Sequence, residues 1–127
     1  VVTKQESAAA RLYALIDQGA GEEAIHQVVA DHGATTGKYF FLEDQINGYG
    51  YRFLQQDKVP QAIAMFKANV ELFPGSWNVY DSLGEALLEA GDVAGAKAMY
   101  EKSLAINPES RSGKDALAKI RGAAGAK

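Results

Sequence analysis

Residues 43–76 and 77–110 are one 34-residue unit written twice, and they superpose without a gap. Gly50 lies over Gly84, Leu54 over Leu88, Ala62 over Ala96, Met65 over Met99, Phe66 over Tyr100, Pro74 over Pro108 and Ser76 over Ser110. A fixed period of roughly 20–50 residues marks stacked supersecondary units, none of which can bury its apolar face alone. Within each unit the apolar residues return at helical spacing, and Pro60 falls in a first turn, where its missing N–H has no intrahelical partner. Pro74 with Gly75, and Asn107 with Pro108, close the two units. The expected fold class is therefore all-α: a right-handed α-α superhelix of about three helix-turn-helix repeats plus a C-terminal capping helix, seven helices in all and no strand.

The small residues explain how such a unit packs. Gly50 and Gly84 on the first helix are expected to face Ala62 and Ala96 on the second, bringing the axes towards the lower end of the roughly 8–10 Å range. Phe66 and Tyr100 are expected to fill the space between one unit and the next. Asp57, Ser76 and Asp92 are candidate N-caps, and Gly91 supplies a turn.

Upstream, Ala8, Leu12, Leu15 and Ile16 form a helical stripe over residues 6–18, ended by Gly19 and Gly21. Glu22 and Glu23 open a second helix, where carboxylates meet the positive end of the dipole. Its buried face is Ala24, Ile25, Val28 and Val29, with Gly33 as its stop. Setting Ala24 on the position of Ala62 and Ala96 places Gly19 on the helix-connecting turn and Val28 on the Phe66/Tyr100 position. Leu12 then stands where Gly50 and Gly84 stand, so this pair is expected to pack less closely. Residues 5–38 read as a degenerate first repeat, with four extra residues before Glu43, and the whole chain, 1–127, as a single domain. Residues 33–42 form the connecting loop, with turn-formers Thr35, Thr36 and Gly37 ahead of Tyr39, Phe40 and Phe41. Residues 112–121 form the capping helix: Ala116, Leu117 and Ile120 face inward, and Lys114, Lys119 and Arg121 face water.

Composition removes several function classes. Sixteen acidic and 13 basic residues give a net charge of −3, and no basic cluster is interleaved with aromatics, so no nucleic-acid partner is expected. No apolar run is long enough to span a membrane, and no membrane partner is expected. The absence of cysteine excludes disulfides, thiolate metal sites and a cysteine nucleophile. His26 and His32 are six residues apart, off the spacing that puts two ligands on one helical face, so no metal is expected. The serines have no G-x-S-x-G context, and the glycine-rich stretch at 33–38 has the wrong length for a phosphate loop. The chain is expected to be neither an enzyme nor a cofactor carrier.

The duplicated unit resembles the tetratricopeptide repeat, whose period it shares. A second resemblance runs through INGYGYRFLQQ and QAIAMFKANVELFPGSWNVYDSLGEALLEAGDVAGAKAMYEKSLAINP. These stretches, with LYALIDQGAGEEAIHQVVADHG and YFFLEDQINGYGY upstream, are similar to the helical extension C-terminal to the catalytic domain of bacterial serine hydrolases of the β-lactamase/penicillin-binding class and related esterases. That resemblance implies an upstream hydrolase domain, which would account for a start at Val1 without Met. The class's catalytic serine and lysine motif does not occur in these residues, so its activity does not carry over. A soluble periplasmic or secreted setting follows if the resemblance holds, and a cytoplasmic one otherwise.

From the groove positions of the tetratricopeptide class, the concave face is expected to carry Asp44, Asn47, Tyr51, Gln55, Asn78, Asp81, Ser82, Glu85 and Glu89. Four of the nine are acidic and none is basic, which departs from the Lys, Asn and Arg pattern of the class's carboxylate clamp. An acidic groove suits a basic or amphipathic helix or extended peptide; a solvated polar face is the alternative. Asp81, Ser82 and Glu85 equally suit local hydrogen bonding that fixes their helix. Tyr39, Phe40 and Phe41 read either as a packing plug or as a contact patch, the latter leaving self-association open. The expected function is a protein- or peptide-interaction module; the alternatives are an accessory domain of a serine hydrolase and a self-associating structural domain.

Overall fold

The computed structural model describes residues 4–34 and 37–125. In chain order the elements are β1 (Glu6–Ser7), α1 (Ala8–Asp17), α2 (Glu22–Ala30), a single 3-10 turn (Asp31–Gly33), β2 (Tyr39–Phe40), α3 (Glu43–Gln55), α4 (Val59–Leu72), α5 (Trp77–Glu89), α6 (Val93–Ile106) and α7 (Arg111–Gly125). Among the described residues the fold is all-α with seven helices, in keeping with the helical periodicity. The expectation of no strand needs correcting, because β1 and β2 form a two-residue parallel pair, Glu6 opposite Tyr39 and Ser7 opposite Phe40. Contacts divide the chain into two compact units, one ending at Leu72 and the other beginning at Phe73. No helix among the described residues is long and apolar enough to cross a membrane.

In the first unit, α3 and α4 pack around Ile46, Phe53, Ala62, Met65 and Phe66, each fully buried. The small-residue logic holds, but its partner differs from expectation. A methyl group built on Gly50 would lie 2.2 Å from the Phe66 ring, so Gly50 makes room for Phe66 of its own hairpin. Tyr51 adds an edge-on contact to the same ring, with centroids 5.2 Å apart. Without such a glycine, α1 and α2 meet over a smaller surface, and α1 leans also on α3 and α4. Tyr13 of α1 stacks on Phe53 of α3 at 4.4 Å, and Lys58 pairs with Asp17 at 2.8 Å.

The segment after α2 is pinned by polar bonds. The Asp31 carboxylate accepts from the backbone N–H of Lys38 and Tyr39 at 3.1 and 2.9 Å, and the Glu6 N–H donates to the Lys38 carbonyl at 3.1 Å. Tyr39 and Phe40 favour extended backbone, and β1 provides the edge they pair with. Thr35 and Thr36, expected turn-formers, lie outside the described residues. Ser7 then caps α1, its hydroxyl accepting from the Ala10 N–H at 3.1 Å.

The turns inside the three hairpins, α1–α2, α3–α4 and α5–α6, share one backbone solution. Gly19, Asp57 and Gly91 all have positive φ, at 78°, 59° and 84°. Each is followed by a residue whose N–H reaches five residues back: Ala20 to Leu15, Lys58 to Phe53 and Asp92 to Leu87, all at 2.9 Å. This is the double-bonded helix terminus that consumes the last carbonyls of the first helix. Asp57 is thus no N-cap; α4 begins at Val59, and Asp57 occupies the left-handed position that glycine fills in the other two turns. Left-handed backbone costs an ordinary residue roughly 1–2 kcal/mol and aspartate less, so Gly91→Ala should lower stability by about that amount although its methyl meets nothing. Asp57→Gly should raise it by up to about 1 kcal/mol. Denaturant midpoints measure both, and equal effects of like sign would contradict the assignment.

In the second unit, Gly84 makes room for Tyr100 as Gly50 does for Phe66, with the ring 2.9 Å from a built methyl. Asp92 is a true N-cap, accepting from the Gly95 N–H at 2.9 Å, whereas Ser76 takes the N-cap position of α5 without a capping side-chain bond. Helix α7 is longer than the expected 112–121 and is capped by Ser110, whose hydroxyl accepts from the Gly113 N–H at 3.2 Å. Its Leu117 joins Ala96 and Tyr100 in a buried cluster, flanked by Leu104, Ala116 and Ile120.

Candidate functional site

On α5, Asn78, Asp81, Ser82, Glu85 and Glu89 recur at helical spacing along one side. They do not share one environment. Ser82 is 1% exposed and lies in the interior, and Asp81 is buried too, accepting a hydrogen bond from the Ser112 hydroxyl of α7. Asp81 therefore joins α5 to α7, a bond that spacing within one helix could not reveal. Asn78 is half-buried, and Glu85 and Glu89 are exposed. Although Glu85 is exposed as a residue, partial burial of its carboxyl, and then the Glu89 and Asp81 carboxylates one turn to either side, push its pKa above the ordinary value. The accessible part of this stripe is a concentrated negative charge.

In the first unit, Asp44 and Gln55 are exposed on α3 while Asn47 and Tyr51 are half-buried, Tyr51 by its contact with Phe66. Of these four, Gln55 alone lines the groove between α1 and α3, a depression of about 580 Å³. The rest of its α3 wall is Gln45, Gly48, Tyr49 and Arg52. Sequence reasoning missed these because the stripe 44, 47, 51, 55 is one residue away from the stripe 45, 49, 52. One residue turns a helical side chain by about 100°, and α1 lies on the second side. The Arg52 guanidinium sits 5.8 Å from the Tyr13 ring centre, and Tyr13 lies 4.7 Å from Tyr49, so a cation resting on aromatic rings is built into this groove.

Both duplicated hairpins thus share a glycine–aromatic closure, the same left-handed turn and the same bond five residues back. Residues 53–120, more than half of the chain, match the family profile described as Tetratricopeptide repeat. The chain belongs to the tetratricopeptide repeat family. No curated protein matches it.

Tetratricopeptide repeats are generally protein-interaction modules, and the remaining features of this one can be placed on that footing. Tyr39, Phe40 and Phe41 are all half-buried. Phe41 meets His32 edge-on at 4.8 Å and Tyr39 at 6.5 Å, so Tyr39 and Phe41 pack against neighbouring rings beside the β1/β2 pair. His26 stands apart from His32, its Nδ1 3.7 Å from Glu71. Among the described residues no group of three or more His, Asp or Glu side chains converges as metal ligands do.

Proposed function

We propose that this tetratricopeptide repeat chain is a non-catalytic interaction module that holds a basic or amphipathic protein segment against the exposed side of α5. The observation that carries the reading is Glu85 between Asp81 and Glu89, a charge concentration that nothing basic in the second unit neutralises through an ion pair among the described residues. A lysine or arginine brought by a partner relieves that repulsion, and charge complementarity of this kind governs encounter rate and choice of partner. Asn78 adds an amide beside it on the same helix. Ser82, held inside, shapes the helix and does not touch the ligand.

The test is a titration of a labelled, lysine-rich amphipathic peptide against the full chain. Glu85→Lys is expected to weaken binding about tenfold or more, equivalent to roughly 1.4 kcal/mol, with the melting temperature no lower than that of the parent chain, since the change also relieves the repulsion along α5. Unaltered affinity in that variant would sink the reading. The resemblance of the repeats to a hydrolase extension supports a second, compatible role, as the accessory domain of a serine hydrolase. The mass of the native polypeptide, detected with an antibody to this domain, decides it: a species several times larger than 13.6 kDa supports the role, and one of that size removes it.

A further inference from the structure

We propose that the α1 side of the first unit binds an acidic protein segment, with Arg11, Lys38 and Arg52 as its cationic contacts. The proposal rests on the interaction-module reading but uses a different surface and opposite charge. Two grooves flank α1 and share Ser7 and Ala10 as common floor. One, towards α3, carries Arg52; the other, of about 530 Å³ towards β2, carries Arg11 and Lys38. Together they present three cations against one lining carboxylate, Glu6. Asp44 of α3 lines neither groove.

None of the three cations is spent on an ion pair among the described residues, where the two pairs are His26 with Glu71 and Lys58 with Asp17. Lys38 and Arg52 rest instead over the rings of Tyr39 and Tyr13, at 5.5 and 5.8 Å. An aromatic face orients a cation without cancelling its charge, so the entropy of positioning is already partly spent and the N–H groups stay available to a carboxylate. The floor between the cations is low. Ala10 is exposed, and the space beside Gly48 is open, with nothing within 4 Å of a built methyl. A peptide backbone can therefore approach α1 closely while its acidic side chains reach the cations on either side. Tyr49 and Arg52, residue types that dominate interface energetics, line one wall. A net charge of −3 for the chain and Glu6 on the rim favour a short acidic peptide over a continuous phosphate backbone.

The experiment is fluorescence anisotropy on the full chain with three labelled probes: a peptide alternating Glu with Leu and Tyr, its Lys-for-Glu counterpart, and a single-stranded oligonucleotide of similar charge. The acidic peptide is expected to bind with an affinity that falls as salt is raised. Arg11→Glu and Arg52→Gln should each weaken it by about tenfold. Arg11 is exposed, so its variant reports binding even where Arg52→Gln loosens Tyr13. Glu85→Lys should leave acidic-peptide binding unchanged while abolishing preference for the Lys probe, which separates failure here from failure of the α5 reading. Binding of the acidic peptide that is indifferent to Arg11→Glu, or an oligonucleotide that binds as well as the peptide, would overturn the proposal.

Discussion

Gly50→Val is expected to reach or exceed the upper end of the roughly 1–3 kcal/mol that overpacking a core normally costs. A single methyl there would stand 2.2 Å from one Phe66 ring carbon and 2.6 Å from two others, and Phe66 is fully buried. Replacing glycine by alanine inside a helix gains about 0.5–1 kcal/mol of backbone entropy, which is too little to offset that clash. Gly84→Ala provides the internal control. Its methyl would meet Tyr100 at 2.9–3.1 Å, a gap that a shift of a few tenths of an ångström opens, so gain and loss nearly cancel. Urea denaturation of Gly50→Ala and Gly84→Ala should rank them clearly, and adding Phe66→Leu to Gly50→Ala should recover part of the loss through coupling. Equal costs at the two positions would show that close approach to the ring is not what the first glycine provides.

Phe53→Ala is expected to cost about 3–5 kcal/mol, the range for emptying a fully buried aromatic site. Phe53 belongs to the α3/α4 core and also carries the stacked contact with Tyr13, so its loss frees α1 as well. Phe53→Leu retains most of the volume and should cost less than Phe53→Ala, the ring–ring contribution of about 0.5–1.5 kcal/mol being part of the difference. Repeating the denaturation of both variants in a Tyr13→Leu background isolates the α1 contact. If the Phe53 substitutions cost as much there as in the parent chain, the stacking does not anchor α1.

The duplication made the helices of the two matched units legible almost to the residue, because glycine, alanine and the aromatic return in register and periodicity fixes which face is buried. A turn was legible at Gly19 and Gly91 from the glycine itself, but not at Asp57, where an acidic residue before a helix imitates a cap. The β1/β2 pair was hidden because it joins segments more than 30 residues apart, each too short to show alternation. Site residues are less legible than fold residues. On α3 the stripes 44, 47, 51, 55 and 45, 49, 52 both look amphipathic, and only the packing of α1 decides that Gln45, Tyr49 and Arg52 line the groove beside it. Asp81 and Ser82 were visible as polar groups, but their burial depends on tertiary packing, which includes Ser112 of α7 for Asp81.

The turn bonds between residues five apart have a kinetic consequence. Each hairpin closes its own loop over a handful of residues, so α3 with α4, and α5 with α6, can meet at little cost in chain entropy. The exceptions lie in the first unit, where the parallel bridge from Glu6 to Tyr39 and the contacts of Tyr13 with Phe53 and of Asp17 with Lys58 join chain segments more than 30 residues apart. Formation of these contacts should be the slow, late event in the first unit, and the surface flanking α1 should be the last to mature.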